Sequence, residues 1–501
     1  MPAFTDARQV PKASVLEADL AIIGGGPAGI SLAMALTGLP IRILLLESGG
    51  MEFEAPTQAL YEGSQSGVPY LALDGSRLRY LGGATNHWGG WTRPLDPSDF
   101  EQRDWLAHSG WPITRKDLDP YLRRAQKLIE AGPWIFDNKR AWTRAMGAPL
   151  ALGDGGVYTS FFQFSQWKGN AQHLPTHFGE RYADDLKKQA NLEVMLHANV
   201  TRLGLARDAA SLDVLDVATL SGNHFKVKPR YTVVATGGME TPRLLLASND
   251  VITAGVGNQN DLVGRYFADH AIPRDCATLV VFEGALAPYY VAARDAAGAH
   301  FRATFSPTEA FKAEHQVLGS LSTVEYPVKL DALGLAAVSA MAKATNMDSA
   351  DMKAFSLGTG LELSPDPDRR LTLTQERDAL GMPRLNLHMT IADSDFTSYR
   401  ETMRELGRQL ILAKSGMIRL NHRSRADWLA AMDWANHHMG TARMHEDPKQ
   451  GVVDTDSRVH GIGNLYVAGS SVFPTYGSSN PTLNLVAMTL RLADHVKGLF
   501  A

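Results

Sequence analysis

Residues 434–447 read WANHHMGTARMHED, which sets His437 and His438 side by side, follows them with Gly440-Thr441, and adds His445. Histidine changes charge near neutrality without help, so such a cluster points to proton transfer at a substrate. Any one of the three, taken alone, reads equally well as a packed or solvated side chain. Asn480, in GSSNPTLN, carries an amide that can donate to a substrate oxygen without competing for its proton. It also directly precedes Pro481, and PTLNLVAMTLRLADHV reads as an amphipathic helix, so a helix N-cap is its other role.

The elements that must position these groups begin with ADLAIIGGGPAGISLAMALTGLPIRILLLESGG. It predicts a buried strand over 19–23, a glycine turn, a helix over 27–37, and a second strand over 41–46 that ends at Glu47. Gly24, Gly26 and Gly29 form G-x-G-x-x-G: a tight turn, close backbone approach to a pyrophosphate, and close helix–strand packing. Glu47 falls where an acid takes the ribose hydroxyl of a dinucleotide. RYTVVATGGMETPRLLLAS, residues 230–248, predicts another apolar strand and a helix opened by Thr241-Pro242. Residues 265–431 read as a cap. RRLTLTQERDALGMPRLNLHMT within it predicts two strands joined around 378–383. Residues 330–355, Ala- and Met-rich, predict a helix that reads as packed or as a lid. The aromatic stretch YTSFFQFSQWKGN, residues 158–170, reads either as a stacking surface for a ring-bearing substrate or as core.

Composition bounds the partners. A chain of 501 residues suggests two domains, and 49 basic against 53 acidic residues leave a net charge of −4, too balanced for a nucleic-acid surface. The single cysteine, Cys276, excludes an internal disulfide, a cysteine-ligated iron–sulfur cluster and a haem-attachment motif, so redox chemistry would belong to another cofactor. No metal-ligand cluster is evident. The first residues hold no apolar signal core, and no run approaches the ~20 apolar residues of a membrane span, so the expected location is cytoplasmic. A small partner subunit with its own export signal would not show in this sequence.

Three segments carry a family resemblance. RYLGGATNHWGGW (79–91) resembles the flavin-proximal loop of the glucose–methanol–choline (GMC) oxidoreductases. Residues 230–248 resemble the strand and helix that close their FAD domain, and NLYVAGSSVFPTYGSSNPTLNLVAMTLRLADHV (464–496) their closing strand, active-site loop and last helix. The His-Trp of the first loop and the Asn-Pro-Thr of the last point to the branch of pyranose 2-oxidases and bacterial glycoside 3-oxidases or dehydrogenases. The resemblance implies an α/β fold: a Rossmann-like FAD-binding domain over 16–264 and 432–501, and a substrate-binding domain over 265–431 built on an antiparallel sheet plus helices.

The resemblance also assigns roles. The base of the family's His-x-x-Gly-Thr pattern is His437 here, counted back from Gly440-Thr441, with Asn480 orienting the hydroxyl, His438 a loop residue near substrate, and His445 solvated. Gly24, Gly26, Gly29, Glu47, Arg79, Gly83, Asn86, His87, Val200, Gly237, Gly469, Ser470, Asn480 and Thr482 are expected to contact FAD. His87 stands where pyranose oxidases attach the flavin covalently, although the expectation for this chain is a non-covalent flavin. Gly89 replaces the hydroxyl residue that those oxidases hold near flavin N5, which disfavours fast oxygen use. The expected reaction is oxidation of a sugar or glycoside secondary alcohol to a ketone. The electrons would pass to a quinone, a carrier protein or oxygen. Alternatives are a polyol, aryl or other non-sugar alcohol, a redox-neutral lyase on the same scaffold, and a non-enzymatic flavin-binding protein.

Overall fold

In the computed structural model, residues 4–501 are described except 137, 168–174, 283–285, 292, 295–298, 346–347, 349–350 and 423. The apolar strand Val15–Ile23 lies at the centre of a sheet whose parallel part runs Phe4–Asp6, Leu192–Leu196, Ile43–Leu46, Val15–Ile23, His224–Val234, Leu465–Val467. Asn199–Leu205 and Leu212–Ala218 continue it as antiparallel strands. From Val15–Ile23 the chain moves to one neighbour, Ile43–Leu46, and later returns on the other side as His224–Val234. The carboxyl ends of the two central strands therefore flank a topological switch point, where open α/β sheets bind their ligands.

At that point the glycines have separate physical reasons. A Cβ on Gly24 (φ +104°) would lie 2.7 Å from the carbonyl oxygen of Ala235, and one on Gly29 would lie 1.9 Å from that of Gly24. Only hydrogen fits between turn, strand and helix at either place. The helix Pro27–Ala35 stops two residues before the predicted end, because the Thr37 hydroxyl takes the Met34 carbonyl (2.8 Å) and Gly38 (φ +80°) turns the chain.

The helix expected to open at Thr241-Pro242 opens instead at Gly237 and runs to Ala247, with Pro242 inside it. Proline has no N–H to give the carbonyl four residues back, that of Gly238. The Thr441 hydroxyl donates to this oxygen at 2.6 Å, so the Gly-Thr step of the histidine loop closes the gap that the proline leaves.

A second, antiparallel sheet runs Gly416–Leu420, Ala277–Val281, Lys353–Leu361, Ser320–Pro327, His300–Pro307, Val157–Phe164, Trp91–Thr92. Ala271–Pro273 and Met432–Trp434 are attached to it. It has its own core around Phe161, Phe301, Phe305, Tyr399 and Trp428. Trp91–Thr92 and Val157–Phe164 pair here, although the sequence division at 264 places them with the FAD-binding part. The aromatic stretch is thus core along its strand, with Phe161 and Phe162 buried, and its last residues, 168–170, lie outside the described ones. The expected hairpin forms from Arg370–Arg377 and Pro383–Met389, but it pairs with Gly63–Gly67 in a separate three-stranded sheet. The expected helix covers Ala332–Thr345. It buries Val338 and Ala342 and leaves Leu333 and Leu335 exposed.

Candidate functional site

A cavity of about 420 Å³ opens at the switch point and is lined both by the fingerprint turn and by His437, His438 and Asn480. Three helices begin on its wall: Pro27–Ala35, Gly237–Ala247 and Pro481–Leu499. None of them has a side-chain cap, so their first N–H groups remain for a ligand's oxygens. A Cβ on Gly26 would meet nothing within 4 Å, which leaves open space in front of the first of these helices.

Glu47 lies buried beside the turn. Its Oε2 accepts from the Gly25 N–H (2.7 Å) and its Oε1 from the Gly49 N–H (2.8 Å), and the remaining lone pairs can receive a ribose diol. A buried ionic cluster reaches the same cavity through Arg77, Arg79 and Glu240. Glu240 pairs with Arg77 (2.9 Å), Arg79 (3.3 Å) and Arg243 (2.8 Å), and Arg243 also pairs with Asp378 (2.6 Å). Burial alone would raise the Glu240 carboxyl, but Arg243, Arg77 and Arg79 overcome it and hold the pKa at about 2. Arg79 Nε is buried without a partner among the described residues, a donor left for a ligand. An anionic, phosphate-bearing cofactor fits this donor set.

At the other end, strand pairing builds the histidine site. The antiparallel register Ala271↔Trp434 and the bridge Ala268↔Met439 set Asp269-His270 opposite residues 436–437. Asp269 is fully buried. Its carboxylate accepts from the backbone N–H of His437 (2.8 Å) and of Asn436 (3.1 Å) and from the Tyr70 hydroxyl (2.5 Å), which holds Asn436 in the left-handed region (φ +60°). Burial pushes the Asp269 carboxyl up to about 7, against the pull of these donors.

The rings form a chain whose proton positions follow from the acceptor at its end. His270 Nε2 lies 2.9 Å from the Gly477 carbonyl, which can only accept, so this nitrogen carries the proton. Neutral His270 then presents a lone pair at Nδ1, and His437 Nδ1–H donates to it across 2.9 Å. His437 is left with a bare Nε2, and the Asn480 amide lies 3.2 Å from that atom. Burial lowers the pKa of His270 to about 4. It also lowers that of His437 well below the usual range, with His270 and His438 adding to the effect, so both rings are neutral at pH 7. The arrangement is an uncharged proton acceptor in a fixed tautomer, with an amide donor beside it.

The predicted residues divide accordingly. His437, Asn480, Gly24, Gly26, Glu47, Arg79, Gly83, His87, Val200, Gly237, Gly469, Ser470 and Thr482 all line the cavity. Gly29 does not, because its part is the contact with the Gly24 carbonyl. Nor does Asn86, whose amide donates to the Leu81 carbonyl (2.9 Å) inside its own turn. Asn480 stands at the N-cap position of the last helix, but its side chain makes no capping hydrogen bond there and its amide instead reaches His437. His438 packs its ring 5.9 Å from Phe267 and 6.4 Å from Tyr70 and has an inaccessible Nε2. His445 Nδ1 accepts from the Asp447 N–H (3.0 Å) in its turn. Asp269 and His270 escaped the sequence reading. Their signal was a pair of titratable residues in the otherwise apolar run FADHAIP.

Residues 76–272 and 365–489 match the models of the N- and C-terminal parts of the GMC oxidoreductases. The chain is 27% identical over 466 residues to the C-glycoside 3-oxidase of Microbacterium trichothecenolyticum, covering 86% of this chain and 77% of that protein. It is 24% identical over 559 residues to the fructose dehydrogenase large subunit of Gluconobacter japonicus, covering 96% and 98%. Among solved structures, pyridoxine 4-oxidase from Mesorbium loti superposes with a TM-score of 0.59 at 19% identity, over 96% of this chain and 99% of that one, a likeness of fold. No helix among the described residues is long and apolar enough to cross a membrane. The chain belongs to the GMC oxidoreductase family and is an FAD-dependent oxidoreductase acting on CH–OH groups.

Proposed function

We propose that the chain oxidises a secondary alcohol of a sugar or glycoside to the ketone, with His437 as the base and Asn480 orienting the hydroxyl. The observation that carries this reading is the His270–His437–Asn480 chain, which leaves an unprotonated Nε2 in the cavity. FAD, when bound, supplies the acceptor for the hydride. The hydroxyl proton goes to His437 Nε2, where a neutral imidazole within hydrogen-bond reach is the requirement for general-base catalysis. The Asn480 amide donates to the same oxygen and releases it as the carbonyl forms. Relatives named for C-glycosides and fructose favour a sugar over other alcohols.

The same reading holds the flavin non-covalently, so acid precipitation leaves a yellow supernatant; a yellow pellet whose colour is lost in His87→Ala contradicts it. The proposed electron acceptor is a quinone or a carrier protein. Anaerobic flavin bleaching by a panel of pyranosides, polyols and aryl alcohols, with identification of the product, tests the substrate class. Bleaching by polyols or aryl alcohols alone refutes the sugar reading.

A further inference from the structure

The loop GGW at 89–91 turns the chain from the cavity wall into the edge of the second sheet. Gly90 (φ +73°) makes the turn, and Trp91 begins the strand by pairing with Phe164. The Trp91 indole is held firmly. Phe164 and Phe162 meet it edge-on at 4.8 and 5.7 Å, and the Arg302 guanidinium lies over the ring at 5.3 Å. That guanidinium is itself fixed by the carbonyls of Tyr290 and Val324. Trp91 nevertheless lines the cavity together with His437, and its Nε1–H has no hydrogen-bond partner among the described residues. A Cβ placed on Gly89 would lie 3.2 Å from Trp91 Cδ1 and 3.5 Å from Nε1.

We propose that Trp91 is the specificity-determining wall of the site: its indole lies against the space a side chain at 89 would need, and it packs the C–H face of a pyranose ring whose hydroxyl is held at His437. This rests on the sugar reading above and deepens it. An indole suits the task, because its ring system offers rigid apolar area to the sugar's C–H groups while the N–H donates to a hydroxyl or ring oxygen. Gly89 then has a steric reason for lacking a side chain. Threonine there needs not only a Cβ but two further heavy atoms, and the clamped indole cannot yield to them without leaving its three neighbours. Residues 89 and 91 thus act as one unit.

The test is a double-mutant cycle on flavin-loaded protein with W91A, G89T and the double variant, with W91F as a milder change. It is read by anaerobic flavin reduction with a methyl pyranoside and with propan-2-ol. W91A should lower the pyranoside-to-propanol selectivity at least tenfold, mainly through weaker pyranoside binding, and W91F, which keeps a ring but loses the N–H, should fall between. G89T should cost pyranoside efficiency about tenfold in the parent and under threefold in the W91A background, because coupled neighbours are not additive. Selectivity within threefold of the parent in both Trp91 variants, or independent effects of the two substitutions, overturns the wall. Failure of any pyranoside to reduce the parent enzyme instead overturns the sugar reading itself.

Discussion

If the base depends on its neighbour for its tautomer, removing that neighbour should slow proton abstraction while leaving the base in place. In His270→Leu the His437 Nδ1–H loses its acceptor, a ring nitrogen 2.9 Å away, inside a buried site. A buried donor left unsatisfied costs about 1–3 kcal/mol. The ring can escape that cost by moving the proton to Nε2, where it can no longer accept one from the substrate. At about 1.4 kcal/mol per decade of rate, the expected loss is roughly 5- to 150-fold in flavin reduction. His270→Asn restores an acceptor oxygen and should recover part of it. The assay is anaerobic stopped-flow reduction at saturating alcohol, on variants matched for flavin content, which separates the rate constant from substrate binding. A purely structural role would weaken binding and flavin loading together and would make Asn no better than Leu. Reduction by His270→Leu within twofold of the parent, at full flavin content, refutes the tautomer argument.

His437→Ala should slow flavin reduction at least ~10²-fold, as expected for loss of a general base, and Asn480→Ala by a smaller factor; equal rates for parent and His437→Ala remove the assignment. With no hydroxyl side chain at Gly89, reduced enzyme should pass electrons faster to a quinone than to oxygen, and stopped-flow reoxidation at matched concentrations decides it. Stability should fall with acid. His270, His437 and His438 have pKa values depressed by burial, so below pH 6.5 the unfolded chain takes up protons that the native chain refuses. Asp269 and Asp99, raised to about 7 by burial, work the other way as pH falls from 7 to 4. Urea unfolding of His438→Leu at pH 7 and pH 5 should therefore show a total loss of stability between the two smaller than the parent's by about 2 kcal/mol, the linkage of an imidazole that titrates near 6.5 only in the unfolded chain; an unchanged loss contradicts a neutral buried His438.

Much of the cofactor half was legible because its physics is local. The fingerprint glycines, the strand leading into them and Glu47 all lie within 19–47, and each is demanded by backbone sterics or by a short-range bond. The count from Gly440-Thr441 to His437 rested on the family resemblance instead. What escaped was set by pairing between distant strands. Asp269 and His270 stand 167 residues or more from the loop they hold, and no periodicity announces a register such as Ala271↔Trp434. The pairing of Trp91–Thr92 with Val157–Phe164 escaped for the same reason. Two strand residues after a glycine pair carry too little pattern to show which edge they join.

These long-range contacts also explain why the proposed base can be both buried and exactingly placed. The loop 435–440 is tied to the second sheet on one side, through Met432–Trp434 and the Asp269 carboxylate, and to the FAD-binding sheet on the other, where Thr441 fills the carbonyl of Gly238 that Pro242 leaves unpaired. His437 therefore sits on a bridge between two separately packed cores. The helices beginning at Gly237 and Pro481 both face the same cavity, so the distance from Nε2 to whatever binds at their N-termini is fixed by both cores at once. A substitution that shifts either sheet moves the base relative to the cofactor site without touching either. Proton transfer tolerates little of this, since a displacement of 1 Å can cost 10²-fold in rate. The Thr441 hydroxyl is one link in that bridge, beside the Ser470 hydroxyl on the His438 carbonyl (2.7 Å): losing it frees the Gly238 carbonyl in a buried turn and loosens the loop from the helix that begins the cavity wall, while the tautomer chain through His270 stays whole.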